Sequence, residues 1–187
     1  TRLLSDSKLT PASCNSIRLF VSGSAPLRAD SFLEFQQRTG HEIVERYGMS
    51  ETIIQTTNPI DGERKAGTVG LPLPGVEVRV VDEKDQTLPS GEIGSIQSRS
   101  ESTFAEYWRK PEKTKQDFTN DGFLIPGDQG FFDDDGYLTI VGREKDLVIS
   151  GGLNVYPVEV EQVINEFSGV EDSAVSGVPH AAFGEAV

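Results

Sequence analysis

One cysteine, Cys14, stands in 187 residues, which excludes an intrachain disulfide framework and any zinc site built from several thiolates. The two histidines, His41 and His180, lie far apart, with no H-x-x-H or H-E-x-x-H spacing. A metallohydrolase therefore has no ligand set here. No apolar run approaches the roughly 18 residues of a membrane span, and no signal-peptide pattern opens the chain. Basic residues are scarce: 17 Lys and Arg stand against 30 Asp and Glu, a formal net charge of -13. Such a surface repels phosphate backbones and anionic lipids, so neither nucleic acid nor membrane is expected as a partner, and a cytoplasmic setting is. A negatively charged small substrate would need a local cluster of basic residues or a metal ion. Cys14 itself reads as a small buried side chain.

What is present has the composition of a globular α/β protein. "SIRLFVSGSAP" reads as a short buried strand, Ile17 to Val21, entering a loop of small residues. Residues 27–39 read as a helix, with Phe32 and Phe35 on one face and Gly40 as its stop. "HEIVERYG" is a second strand, so residues 1–60 form an α/β unit with functional loops expected at the strand ends. Residues 61–145 change character: Val76, Val78 and Val80 alternate onto one side, and "KPEKTKQDF" is a short helix opened by Pro111. "DDDGYLTIVGREKDLVISGG" gives turn, strand, polar joint, strand and glycine turn. The joint "GREKD" is the expected boundary to a new α+β unit, 146–187. There Val160, Val163, Ile164 and Phe167 recur at helical spacing behind Pro157, and "SAVSGV" reads as a last strand. These 42 residues are few for an independent core, so they are expected to be poorly held unless docked. The polar start "TRLLSDSKLT" and the end "PHAAFGEAV" suggest an internal piece of a longer chain.

"IVERYGMSETIIQT", residues 43–56, ends an apolar strand with an arginine and follows it with Tyr-Gly-Met-Ser-Glu. An arginine at the inner end of a strand is costly unless an anion meets it. Side chains alternate along a strand, so Glu45 points away from Arg46 while Glu42 shares its face. Glu42 is therefore one possible partner for Arg46, and an external anion is the other.

Four stretches in this order, "VSGSAP" (21–26), "ERYGMSET" (45–52), "GFLIPGDQG" (122–130) and "YLTIVGREKDLVISGGLNVYPVEVE" (137–161), resemble the adenylate-forming superfamily of acyl-CoA synthetases, luciferases and non-ribosomal adenylation domains. Within it, "VERYGMSET" and "NPIDGERKAGTVGLPLPGVEVRV" look most like the malonyl-CoA synthetases. The resemblance implies that residues 1–145 are the C-terminal part of a large adenylation domain and 146–187 the start of a small mobile one. It implies a ligase using ATP, Mg²⁺ and CoA. A carboxylate attacks the α-phosphate of ATP, pyrophosphate leaves, and the thiol of CoA then displaces AMP. Both half-reactions depend on positioning and on neutralising charge at phosphorus and carbonyl oxygen.

The resemblance also assigns roles. Gly23, Ser24 and Ala25 let backbone approach the base, and Tyr47 with Gly48 lies against it. Asp128 accepts the ribose hydroxyls, and Arg143 reaches the same diol or a phosphate. Ser50, where the family more often has threonine, offers its hydroxyl to the α-phosphate. Glu51 is the Mg²⁺ carboxylate. Arg46, with Ser24, would meet the distal carboxylate of a short diacid such as malonate or methylmalonate. Lys145 matches the hinge position, and Gly151 and Gly152 the glycine pair passed by the pantetheine arm of CoA. Trp108 is expected to be a packing residue, and Glu106 stands where the family more often has glycine. No "TSGTTGxPKG" phosphate loop and no late catalytic lysine occur, so these 187 residues alone are expected to be inactive. The alternatives are another acyl- or aryl-CoA ligase whose Arg46 pairs internally, and a non-catalytic module that has kept the fold.

Overall fold

A computed structural model describes residues 3–187. Near its start, α1 (Pro11–Cys14) is a single turn that the apolar pattern did not announce. It forms because Thr10 Oγ1 accepts the Ser13 N–H while Ser13 Oγ accepts the Thr10 N–H, a reciprocal cap that satisfies two otherwise orphaned donors. Cys14 is buried there, as expected. Strand β1 (Phe20–Ser22), helix α2 (Ala29–Thr39) and strand β2 (Ile43–Tyr47) follow, with β1 and β2 parallel and Ser22 opposite Glu45. Phe32 and Phe35 are buried on the inner face of α2, and Gly40 closes it at φ 74°, donating its N–H to Gln36 O at 2.8 Å.

The first strand is shorter and more open than its apolar composition suggests. Phe20 meets Phe35 edge-on at 4.8 Å, so one face is covered by α2. Val21 points to the other face and is 53% exposed. Alternation of side chains, with nothing described over that second face, is the reason the expected buried run 17–21 is only half buried.

Two short strands, β3 (Thr56–Thr57) and β4 (Leu71–Pro72), extend the sheet in the order β1-β2-β3-β4. A second sheet is an antiparallel meander of β5 (Val76–Val81), β6 (Gly94–Ser100), β7 (Asp128–Phe132) and β8 (Leu138–Arg143). Helix α3 (Pro111–Asp117) interrupts it within the long excursion between β6 and β7. Val80, Ile96 and Leu138 form the core of this sheet, and Tyr47 packs against it from the end of β2. Each such side chain contributes about 1.5–3 kcal/mol by leaving water. That shared core seats the turn after β2 beside the start of β7.

Beyond a 3₁₀ turn, Glu144–Asp146, the remaining strands make a separate sheet. They are β9 (Val148–Ser150), β10 (Leu153–Val155), β11 (Val178–His180) and β12 (Gly184–Ala186), with α4 (Pro157–Asn165) between β10 and β11. Gly151 and Gly152, at φ 59° and 85°, form the two-residue turn joining β9 to β10, which needs positive φ at both positions. Val148 alone is fully buried among the described residues after 145, in keeping with the meagre core expected of this stretch.

Two further local expectations fail. "SAVSGV" is no strand up to Gly177, and pairing begins only at Val178. The segment is tied to α4 instead: Glu161 Oε1 accepts the Val175 N–H at 2.8 Å and Glu161 O accepts from Ser173 Oγ at 3.4 Å. Trp108 is not a packing residue either, being 79% exposed. Phe104 packs edge-on against Tyr107 and tilted against Phe118 on the inner side, leaving Trp108 outside with the Arg109 guanidinium over its ring at 5.4 Å. No described helix is long and apolar enough to cross a membrane.

Candidate functional site

The chain turns sharply after Tyr47. Gln55 N–H returns to Tyr47 O at 2.9 Å, and Ile53 N–H to Met49 O at 2.8 Å. A Cβ on residue 48 would lie 1.9 Å from Ile53 O, so only glycine closes this turn. Ser50 is exposed on its crest, and Glu51 is half-buried beside it. Glu51 Oε1 accepts a hydrogen bond from the Tyr107 hydroxyl at 3.0 Å. Oε2 takes none from the described residues. Burial, with Glu51 adding to it, pushes the Tyr107 phenol up to about 12, so it is a proton donor at neutral pH.

Asp128 opens β7 directly opposite Arg143 at the end of β8, and it is 4% exposed. Arg143 Nε sits 3.1 Å from Oδ1, and the Tyr47 hydroxyl donates to Oδ2. Burial raises the Asp128 carboxyl above the usual carboxylate range, while Tyr47 and Arg143 pull it back down. Burial raises the Tyr47 phenol strongly, and the Asp128 charge adds to that, so Tyr47 stays a donor. A carboxylate has about four acceptor positions, and these two contacts leave room for a diol. Arg143 is exposed and its terminal nitrogens have no partner among the described residues.

A polar cavity of about 480 Å³ is bordered by Glu51, Tyr107, Lys113, Asp117, Gly127 and Arg143. A second of about 370 Å³ adjoins it, with Arg143, Glu144 and Lys145 on its wall. Glu51 Oε2, without a partner among the described residues and on a residue that borders this cavity together with Asp117 and Glu144, suits a divalent cation that keeps most of its other ligands as water and phosphate.

Arg46 points to the opposite side of β2 from Glu45. A Cβ on Gly23 would lie 3.1 Å from Arg46 Cγ and 3.4 Å from Cζ, so the Arg46 side chain passes beside Gly23 at the start of the small-residue loop. Its side chain makes no ion pair or hydrogen bond with any described residue. Glu42 is not its partner, because Glu42 Oε1 accepts from Gln36 Nε2 at 2.7 Å. Among the described residues neither Glu42 nor any other acid pairs with Arg46. Ser24 stands at φ 72°, a left-handed conformation uncommon for a side-chain-bearing residue, and exposes its hydroxyl at the same loop.

Glu45 is 4% exposed. Its Oε1 accepts the Leu27 N–H at 3.0 Å, anchoring the far end of the small-residue loop, and its Oε2 is buried without a partner. Burial pushes this carboxyl up from 4.5 to about 7, partly offset by the Leu27 N–H. The folded chain thus holds a proton there that the unfolded chain releases between those two values. The stability this carboxyl contributes is therefore fully present below about 4.5 and is lost as pH rises through about 7. The loss is on the order of 3 kcal/mol, at 1.36 kcal/mol per unit. Glu45→Gln, which keeps an acceptor for Leu27, should melt higher than the parent above pH 7 and show a flatter pH profile. Parallel profiles for the two proteins would refute this.

Asp128 thus joins Tyr47, by a hydrogen bond, to Arg143, by an ion pair. Glu51 borders the same cavity as Arg143, Lys145 borders the adjoining one, and Gly23 lies beside Arg46. Ser50, Ser24 and Ala25 are exposed on the two loops. Gly151 and Gly152 border neither cavity. Tyr107 and Glu45 were missed in the sequence, because one lies 56 residues from its partner and the other looks like any strand glutamate.

Residues 2–108 match the model of the AMP-binding enzyme family, more than half of the chain. The chain belongs to the AMP-binding enzyme family. It is 45% identical over 186 residues to a probable CoA ligase, CCL8, of Humulus lupulus, covering 97% of this chain and 31% of that one. It is 40% identical over 172 residues to a malonate–CoA ligase of Arabidopsis thaliana, covering 91% and 28%. Among solved structures, ATP-bound MatB from Rhodopseudomonas palustris superposes with a TM-score of 0.96 at 54% identity, covering 98% of this chain and 37% of that one. The chain thus shares the mixed α/β fold of these enzymes and spans about a third of their length.

Proposed function

We propose that this chain forms part of an AMP- and diphosphate-forming acid–thiol ligase that joins a short dicarboxylic acid, malonate or methylmalonate, to CoA. The reading draws on the relatives named above and on one observation, the Arg46 side chain lying beside Gly23 with no partner among the described residues. A cation on a half-buried strand end without a protein anion calls for an anion from outside. The distal carboxylate of a diacid supplies one, with the Ser24 hydroxyl beside it.

In this reading residues 1–145 belong to the large domain and 146–187 open the small one. Asp128 and Arg143 hold the ribose of ATP, and Tyr47 orients Asp128 through its hydroxyl. Gly23, Ser24, Ala25 and Gly48 keep the backbone close to the base. Ser50 donates to the α-phosphate as the acid's near carboxylate attacks it, and pyrophosphate departs. Glu51 would hold Mg²⁺, whose charge offsets that of the phosphates. Lys145, exposed in the 3₁₀ turn between the second and third sheets, is the hinge about which the small domain turns. Gly151 and Gly152 then present their turn to the pantetheine arm before the thiol displaces AMP.

Pyrophosphate exchange by the full-length protein tests the reading. Malonate and methylmalonate should support exchange, and acetate and benzoate should not. Equal exchange with a monocarboxylate would end the diacid assignment.

A further inference from the structure

The turn carrying Ser50 and Glu51 does not hold its shape alone. Ile53 sits at φ 66°, which is an outlier for a β-branched side chain. Such a conformation persists where surrounding structure over-determines it. The first part of the excursion between β6 and β7 supplies that structure. Phe104 N–H donates to Glu51 O at 2.7 Å, and Ser102 Oγ donates to Thr52 O at 3.2 Å. The Tyr107 hydroxyl reaches Glu51 Oε1 at 3.0 Å. Tyr107 is itself held: its N–H donates to Thr114 Oγ1 at 3.0 Å, and Phe104 packs edge-on against its ring at 4.6 Å.

We infer that Tyr107 is a positioning residue for Glu51, its hydroxyl occupying one carboxylate oxygen so that the other faces the cavity, fixed in place, to bind a divalent cation. This rests on the reading of Glu51 as the cation carboxylate. A free glutamate has several rotamers, and one donor on Oε1 removes most of that freedom before the cation arrives. The backbone contacts from Phe104 and Ser102 set the turn, while the Tyr107 hydroxyl sets the side chain. These two tasks are separable by mutation.

Tyr107→Phe deletes the hydroxyl and keeps the ring against Phe104. In the full-length protein it should raise the Mg²⁺ concentration for half-maximal pyrophosphate exchange about tenfold, the effect of one hydrogen bond to a charged group. The KM for the acid and the melting temperature should stay close to those of the parent. Mn²⁺ binding beside a non-hydrolysable ATP analogue, followed by electron paramagnetic resonance, should weaken by the same factor. A lower melting temperature with unchanged cation dependence would make Tyr107 merely structural and overturn the inference. Glu51→Gln separates the two readings. If it abolishes Mn²⁺ binding while Tyr107→Phe leaves binding intact, only the Tyr107 inference fails. If Glu51→Gln leaves Mn²⁺ binding unchanged, the reading of Glu51 fails with it.

Discussion

Replacing Arg46 with methionine is expected to lower malonate-dependent pyrophosphate exchange by about 30- to 3,000-fold and to leave exchange with propionate equal or higher. Removing one member of a buried charge pair costs about 2–5 kcal/mol, which converts to that range at 1.4 kcal/mol per tenfold. A change of one methylene in an acyl pocket is worth only about 1–3 kcal/mol, so charge rather than size would dominate selection. Arg46 forms no ion pair with any described residue, and the variant should melt near the parent temperature. Arg46→Lys keeps the charge without the planar fork and should fall between the two. Malonate and propionate rates that decline in parallel would show that Arg46 does not read the distal carboxylate.

Asp128→Ala should weaken AMP binding by one to two orders of magnitude, measured by calorimetry on the full-length protein. Hydrogen bonds to an ionised carboxylate are worth about 1.5–3 kcal/mol each, and this carboxylate is buried beside Arg143, where screening is weak. The same change strands the Tyr47 hydroxyl, so the melting temperature should also drop. Asp128→Asn keeps one oxygen and the volume, and should lose less on both readouts. Unchanged AMP affinity in a folded Asp128→Ala protein would remove the ribose site from this position.

How far the site can be read before folding depends on the separation of its parts. Phe32, Phe35 and Gly40 announce α2 because a helix face and its stop are written within a dozen residues. Pro111 and Pro157 mark helix starts for the same reason. Tyr47 and Asp128, by contrast, are 81 residues apart and share a hydrogen bond only because β2 and β7 meet over one core. The failures have the same origin. Val21 looks buried until its face is found uncovered, and Trp108 looks like core until three other rings take the inner position. "SAVSGV" has strand composition, yet Glu161 holds it against α4.

Gly48 shows the division within a single residue. Its place after Tyr47 marks a tight turn, but the reason no other residue fits is the Ile53 carbonyl that folds back against it. From the sequence alone came the resemblance to the adenylate-forming enzymes, through the order and type of residues in four short stretches, and the lack of thiolates for a multi-cysteine zinc site or of an apolar run long enough to span a membrane. Only the tertiary structure decided that Arg46 has no partner among the described residues, that Glu45 is buried with one oxygen unsatisfied, and that Tyr107 grips Glu51. The physical reason is that composition and local pattern fix which groups are available, whereas their partners and their distance from water are set by contacts between segments far apart in the chain.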